Sequence, residues 1–156
     1  DTASADWALV QQCAAGDEDA CARQVTDHQR MVYQLALHLL GEHIVATAAE
    51  ELRRLIKIGR VDADLEYRWF LPHISSYVFK DQLELAVLDT GVDLPVDRWF
   101  TNLATRGNTG SASIYIMLDE ALNTGKFQPG DRILAMVPES GRFIMSYMQF
   151  TCVEAG

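Results

Sequence analysis

The amino-acid sequence predicts a layered α/β half-domain, with helices on both faces of a mixed sheet, preceded by an N-terminal helical segment. Two observations support this fold class. From residue 44 onward, apolar residues at helical spacing alternate with short extended apolar runs. The last two extended runs, 132–137 and 143–153, flank the turn-forming residues Pro138 to Gly141, as in a hairpin. The element order is therefore helix, strand, helix, strand, helix, strand, strand.

The first 41 residues show only helical patterns. A first helix ends at Gly16, and a second helix extends to Leu40. Gly41 predicts the end of this second helix. We therefore divide the chain into a helical segment, 1–41, and an α/β domain, 42–156.

Each element of the α/β domain has its own signal in the sequence. Amphipathic helices show three-and-four spacing of apolar residues and end before a glycine, whereas the strands are short and rich in aromatic and aliphatic residues. Before the hairpin, the predicted elements are a helix over 44–58, a strand over 67–71, a helix over 75–88, a strand over 99–104 and a helix that includes 114–122.

Composition and charge exclude several classes of function. A chain of 156 residues that is 49% hydrophobic and 22% charged has the composition of a globular domain with a core. Its net charge of −9 argues against a nucleic-acid partner, because phosphate binding needs a basic surface. No run approaches the roughly 20 apolar residues of a membrane span, so we expect no membrane association.

The cysteines predict a reducing compartment. Cys13, Cys21 and Cys152 are odd in number, and no histidine accompanies them at metal-ligand spacing. We therefore expect reduced thiols, a cytoplasmic protein, and neither a metal site nor a cofactor.

Two strand-to-turn junctions each end in a neutral polar residue. The first is Trp69 to His73, and the second is Trp99 to Asn108. If the two strands are neighbours, the two polar side chains converge at the open end of one sheet, where two neutral donors can stabilise a developing oxyanion. Taken singly, each residue has a simpler reading. A histidine after a strand is more often bonded to the backbone, and an asparagine after a glycine is often a turn residue.

Several motifs accompany these junctions in a fixed order. They are Phe70-Leu71-Pro72-His73, Gly107-Asn108-Thr109-Gly110-Ser111, Leu118-Asp119-Glu120-Ala121-Leu122 and Pro129-Gly130-Asp131-Arg132-Ile133-Leu134. Through these motifs, residues 44–153 resemble the C-terminal half of β-ketoacyl-acyl-carrier-protein synthase III, a condensing enzyme of the thiolase fold. The resemblance implies an acyltransferase that joins a malonyl thioester to an acyl thioester by decarboxylative Claisen condensation, as in fatty acid or polyketide biosynthesis.

The resemblance also implies roles for particular residues. His73 and Asn108 would be the catalytic donors to the enolate oxygen, and substrate would be bound by Gly107, Ser140 and Gly141. The implied partners are acyl carrier protein or coenzyme A thioesters, together with a second copy or a complementary N-terminal half. A basic group would receive the acidic carrier protein: Arg53, Arg54, Lys57 and Lys80.

The chain departs from the family pattern in three places. The family's nucleophilic cysteine belongs to the N-terminal half, and none of the cysteines here has a matching context, so this chain alone should not complete the condensation. Ile74-Ser75-Ser76 follows His73 where the family usually has Gln-Ala-Asn, and the glycine-rich loop between the last strands reads Pro138-Glu139-Ser140-Gly141-Arg142. The alternative function is a non-catalytic half-domain that dimerises or binds another protein.

Residues 1–41 resemble a different family. Asp6-Trp7-Ala8-Leu9-Val10-Gln11 and His28-Gln29-Arg30-Met31-Val32-Tyr33 are similar to the opening helices of an extracytoplasmic-function sigma factor. The downstream helices that read promoter DNA in that family do not follow, so DNA binding is not implied. The change of resemblance near Gly41 suggests a fusion or a rearranged gene.

Overall fold

The computed structural model describes residues 2–139 and 144–154. The chain divides into two compact units, Asp1–Gly41 and Glu42–Gly156. Within the described residues, no helix is both long enough and apolar enough to cross a lipid bilayer.

The N-terminal unit is helical. Helix α1 is Thr2–Ala14, and helix α2 is Glu18–Lys57, with the Asp17 carboxylate accepting a hydrogen bond from the Ala20 backbone N–H at 3.0 Å at its start. The prediction that this helix ends at Gly41 was wrong, since α2 continues for 16 residues beyond it. One glycine in a helix interior costs only about 1 kcal/mol relative to alanine, which favourable neighbours on both sides can offset.

Cys13 and Cys21 form a disulfide within the N-terminal unit. The expectation of reduced thiols was therefore wrong for these two residues. The turn between α1 and α2, with Gly16 at a positive φ of 93°, reverses the chain and places the two Cα atoms 4.7 Å apart. Spacing in the sequence does not show such a reversal. Cys152 is a free thiol.

The C-terminal unit contains a three-stranded mixed sheet. Its strands are β1, Trp69–Pro72, β2, Arg132–Glu139, and β3, Ile144–Thr151, in the order β1-β2-β3. Strand β2 is parallel to β1 and antiparallel to β3, which confirms the predicted mixed sheet. The parallel pair makes both β1 and β2 end at the same edge.

The predicted strand over 99–104 was wrong in extent. Only Trp99 forms a parallel bridge with Phe70, and the Phe100 N–H donates to the Phe70 carbonyl at 2.8 Å. The chain then leaves the sheet in a one-turn helix, α4, Leu103–Arg106. The side chain of Asn102 turns towards a following helix, where it donates to Glu120, so the apolar run does not extend along the sheet.

Two longer helices follow the two junctions. Helix α3 is Lys80–Leu88 and helix α5 is Ser113–Asn123. A 3-10 turn precedes each helix, Tyr77–Phe79 before α3 and Gly110–Ala112 before α5. The predicted helices are therefore present, with tighter first turns.

The core of this unit has two apolar clusters, one on each face of the sheet. Alternate strand residues point to opposite faces, so Phe70 and Leu134 belong to one cluster and Leu71 and Ile133 to the other. The first cluster contains residues of the end of α2 and of α3: Ala48, Leu52, Leu83 and Val87. The second contains residues of α5: Ile114, Met117 and Ala121. Helices thus cover both faces, as predicted.

Candidate functional site

A cavity of about 270 Å³ lies at the edge where the parallel strands β1 and β2 end. Binding sites of α/β sheets characteristically form at the carboxyl ends of parallel strands. All the residues that line this cavity belong to the C-terminal unit: Ile44, His73, Ser75, Asn108, Gly110, Ser111, Val137, Pro138 and Glu139. The structure therefore brings His73 and Asn108 to the same cavity.

His73 is held by the sheet. It directly follows β1, and its backbone N–H donates to the Met136 carbonyl of β2 at 2.8 Å. The residue is only 7% exposed, and this burial lowers the pKa of the imidazole below its ordinary value. The ring is therefore neutral near pH 7 and presents one N–H. Within the described residues the imidazole has no side-chain hydrogen bond, so that N–H can donate to a bound ligand.

Asn108 is held by its own turn. The Gly110 backbone N–H donates to its carboxamide oxygen at 3.0 Å, as in an Asx turn. This bond engages the acceptor end of the carboxamide and leaves the NH2 group able to donate. The two residues thus offer two neutral donors to one cavity, an arrangement suited to stabilising a negatively charged oxygen.

The predicted substrate-binding residues are placed differently. Gly107 lies on the packed side of His73, near Asn102 and Ser113, and does not line the cavity. Ser140 and Gly141 lie outside the described residues. Their predicted role in substrate binding stays a prediction.

The four predicted docking residues do not line the cavity. Arg53 forms an ion pair with Asp89, and Arg54 forms one with Glu51 at 2.7 Å. Lys57 is exposed at the end of α2, and Lys80 is half-buried at the start of α3. Intramolecular carboxylates therefore already neutralise two of the four cations.

Sequence reasoning gave no site role to several residues that form this region. Ser75 and Glu139 were each named only within a departure from the family pattern, yet both line the cavity. Ile44, Val137 and Pro138 complete its apolar walls. Ser75 lies three residues after the end of β1, and Glu139 is the last residue of β2. Their positions at the carboxyl ends of two parallel strands were the signal that could have identified them.

The free thiol lies elsewhere. Cys152 follows β3 and lines a separate apolar groove of about 290 Å³, together with Leu118 and Leu122 of α5. Cys13 and Cys21 are joined to each other. Across residues 2–139 and 144–154, no group of three or more histidine, cysteine or acidic residues is arranged to hold a metal ion.

Comparison with known proteins identifies one family over this unit. The sequence model described as "3-Oxoacyl-[acyl-carrier-protein (ACP)] synthase III C terminal" matches residues 66–146. The match contains both junctions and the cavity residues from His73 to Glu139. The comparisons do not support the resemblance of residues 1–41 to a sigma factor.

Two curated proteins show the same relationship. The chain is 32% identical over 113 residues to beta-ketoacyl-[acyl-carrier-protein] synthase III 2 of Deinococcus radiodurans, covering 70% of this chain and 28% of that protein. It is 32% identical over 121 residues to beta-ketoacyl-[acyl-carrier-protein] synthase III 3 of Streptomyces coelicolor, covering 78% of this chain and 32% of that protein. The chain thus spans about a third of the length of these relatives.

A solved structure agrees with the fold. The crystal structure of 3-oxoacyl-(acyl carrier protein) synthase III from Pseudomonas aeruginosa superimposes with a TM-score of 0.58 at 24% identity, covering 76% of this chain and 35% of that one. This similarity confirms the predicted thiolase-like layered half-domain.

Proposed function

We propose a function from the premise that this chain belongs to the family of 3-oxoacyl-[acyl-carrier-protein] synthase III C-terminal domains. The chain acts as the C-terminal portion of an acyltransferase of this type. His73 and Asn108 donate hydrogen bonds to the thioester oxygen of a malonyl group while that group loses carbon dioxide. The observation that carries the proposal is the shared cavity, which both residues line at the carboxyl ends of β1 and β2.

The chemistry needs these two donors at one step. When the carboxylate leaves as carbon dioxide, the electron pair of the broken carbon–carbon bond moves onto the thioester oxygen as an enolate. A neutral imidazole N–H and a carboxamide NH2 bind this oxygen more strongly as its charge develops, which lowers the barrier. The burial that keeps His73 neutral supports this role, because a buried cation would carry a large desolvation cost.

The second half of the reaction needs a group from outside this chain. The enolate carbon attacks the carbonyl carbon of an acyl thioester, a new carbon–carbon bond forms, and the acyl–sulfur bond breaks with the thiolate as leaving group. Cys152 lies in another groove, so we propose that a complementary N-terminal half carries the acyl group on its own cysteine.

The proposed partners follow from the same reaction. The substrates are thioesters of acyl carrier protein or coenzyme A, and the assembly is a homodimer or a pair of complementary halves. The relatives from Deinococcus radiodurans and Streptomyces coelicolor are named as acyl-carrier-protein synthases. The proposed carrier-docking cations are Lys57 and Lys80, which form no ion pair within the described residues, together with Arg53 and Arg54. We also propose a cytoplasmic location.

The test is release of carbon dioxide from a malonyl thioester. The chain is combined with a separately produced N-terminal half of the Deinococcus radiodurans relative, and the parent is compared with His73→Ala and Asn108→Ala. Each variant is expected to lose about 10²–10³-fold in rate, as for removal of one oxyanion donor elsewhere. Asn123→Ala, which removes an exposed carboxamide from the end of α5, is the matched control. An unchanged rate for Asn108→Ala in an active assembly would overturn the proposal.

The alternative is a non-catalytic half-domain that dimerises or binds another protein. The position of Cys152, away from the cavity, favours it. This alternative predicts no carbon dioxide release in any combination, together with stable association with a second copy or with the N-terminal half. Light scattering of the chain alone and of the mixture measures that association.

A further inference from the structure

A carboxylate outside the cavity connects both ends of the short helix that precedes Asn108. Glu120, in α5, accepts a hydrogen bond from the Asn102 carboxamide at 3.0 Å and a second from Arg106 Nε at 3.4 Å. Both donors reach the same carboxylate oxygen, Oε2. The hydrogen bond from Asn102, with a smaller contribution from Arg106, holds the pKa of the Glu120 carboxyl below its ordinary value, so the group is ionised at neutral pH.

These two donors mark the beginning and the end of α4. The Asn102 carbonyl accepts hydrogen bonds from the Thr105 and Arg106 backbone N–H groups at 3.0 and 2.8 Å, which starts the helix, and Arg106 is its last residue. A helix of four residues is not stable by itself, because the first turn costs more conformational entropy than its few hydrogen bonds return. The shape of α4 therefore depends on contacts outside the helix: the hydrogen bonds to Glu120 of α5 and the packing of Leu103 against the first cluster.

The end of α4 determines where Asn108 lies. Only Gly107, with φ of 71°, separates Arg106 from Asn108. On the other side, the Asn108 side chain bonds to Gly110, and the 3-10 turn Gly110–Ala112 leads directly into α5. Helix α5 thus holds this loop at both ends. After Asn108 the loop continues directly into α5, and before Asn108 the loop is hydrogen-bonded to Glu120 of α5.

The Asn102 end of this attachment lies in the packed interior, whereas Glu120 is partly exposed and Arg106 is exposed. Asn102 is 7% exposed, and a buried carboxamide without an acceptor is strongly unfavourable. Glu120 supplies that acceptor. Replacing the Glu120 carboxylate therefore affects Asn102, at the start of α4, first. Its effect on the cavity follows from the movement of α4.

We propose that Glu120 is a positioning residue, which holds α4 against α5 and thereby places the Asn108 carboxamide in the cavity. The inference rests on the proposed function, since it assumes that Asn108 acts on a bound thioester. It assigns Glu120 no contact with substrate.

The test is a double-mutant cycle on malonyl-thioester decarboxylation, in the same assembly of chain and N-terminal half. Glu120→Gln keeps the size of the side chain and removes its charge. We expect kcat to fall about 10-fold with KM unchanged, because misplacing a reacting group affects the transition state more than binding. In an Asn108→Ala background, Glu120→Gln is expected to lower kcat no further. In a His73→Ala background, it is expected to lower kcat by the same factor as in the parent.

The outcomes separate this inference from the proposed function. An unimpaired Asn108→Ala variant ends the proposed function and this inference together. An impaired Asn108→Ala variant with an unimpaired Glu120→Gln variant ends this inference alone. An equal loss from Glu120→Gln in the parent and in Asn108→Ala also ends it, because that result indicates a general structural effect. Asp119→Asn, the neighbouring carboxylate on α5, is the matched control and is expected to leave the rate unchanged.

A second measurement does not depend on activity or on the folding of one variant. Amide hydrogen exchange of the full chain compares the parent with Glu120→Asp, a shorter carboxylate, and with Arg106→Ala. We expect faster exchange over 103–110 in both variants, with unchanged protection in β1 and β2. Unchanged exchange over 103–110 in both variants would contradict the inference.

Discussion

His73 and Asn108 reach the same cavity from two very different supports. His73 continues a strand, is almost fully buried, and its backbone is paired with β2. Asn108 is exposed, follows a one-turn helix, and is held by a bond within its own turn. The first residue is positioned by the core of the sheet, and the second is positioned by a loop that α5 anchors.

This difference separates stability from function in the molecule. A change beneath His73 alters the packing of the sheet, so it affects folding and the cavity together. A change in the loop of Asn108 alters the position of one donor with little loss of buried apolar contact. The two sides should therefore respond differently to substitution, and the free energy of unfolding measures that difference.

The largest loss of stability is expected from the sheet side. Phe70 of β1 is fully buried, and its ring packs edge-on against Trp99 with centroids 5.2 Å apart. Phe70→Ala should lower the free energy of unfolding by about 3–5 kcal/mol through lost burial and the cavity left behind. Urea unfolding measures this, with the 72%-exposed Tyr115→Ala as a control near zero. A loss of unfolding free energy below about 1 kcal/mol would contradict the expectation that the sheet supporting His73 contributes more to stability than the loop of Asn108.

A smaller loss is expected at the glycine of the loop. Gly107 has φ of 71° and ψ of −170°, a region almost restricted to glycine, and no atom lies within 4 Å of an added Cβ. Gly107→Ala should therefore destabilise by about 1–3 kcal/mol through backbone strain alone, and should also slow decarboxylation by moving Asn108. Gly125→Ala, at φ of 66°, is the control that should be destabilised without loss of rate. Equal rates for both variants would count against loop control of Asn108.

A pH-dependent loss is expected from His73. Burial lowers the pKa of this imidazole in the folded state, so the unfolded chain takes up the proton first as the pH falls below about 6.5. This contribution to stability is complete above that pH and decreases below it. The difference in unfolding free energy between about pH 7.5 and about pH 5.5 should therefore be smaller in His73→Gln than in the parent. An identical difference in both proteins would show that the histidine is not desolvated.

The smallest change in stability is expected at the donor itself. Asn108→Asp keeps an oxygen that accepts from the Gly110 N–H, so the free energy of unfolding should change by less than about 0.5 kcal/mol. The substitution replaces the NH2 donor with a negative oxygen, and decarboxylation should fall by about 10²-fold or more. Asn123→Asp is the matched control: it places a second carboxylate near Asp119 at the end of α5, so stability should fall by about 0.5 kcal/mol or less while the decarboxylation rate stays unchanged. Retained activity in Asn108→Asp would show that the NH2 group is not the functional donor.

Local chemistry explains why parts of the site could be predicted from sequence. Gly107-Asn108 predicts a turn because glycine tolerates positive φ and asparagine bonds to the backbone two residues later, and both features are present. The continuous apolar run over 133–137 is typical of a strand buried on both faces, and Ile133 and Leu134 enter different clusters.

Other features depend on contacts between distant residues. The run after Trp99 resembles a strand, yet it pairs with β1 at only one residue, since Asn102 bonds to Glu120, 18 residues away. The pairing of Cys13 with Cys21 likewise depends on how a turn brings two helix ends together.

By itself, the sequence determined the order of helices and strands, the family of the C-terminal unit and the two polar residues that end its junctions, because each follows from local spacing and side-chain chemistry. Only the tertiary structure decided which residues share the cavity, how far the strand after Trp99 extends, and which carboxylate anchors the loop of Asn108. Those outcomes depend on hydrogen bonds and packing between residues far apart in the chain, which local patterns do not contain.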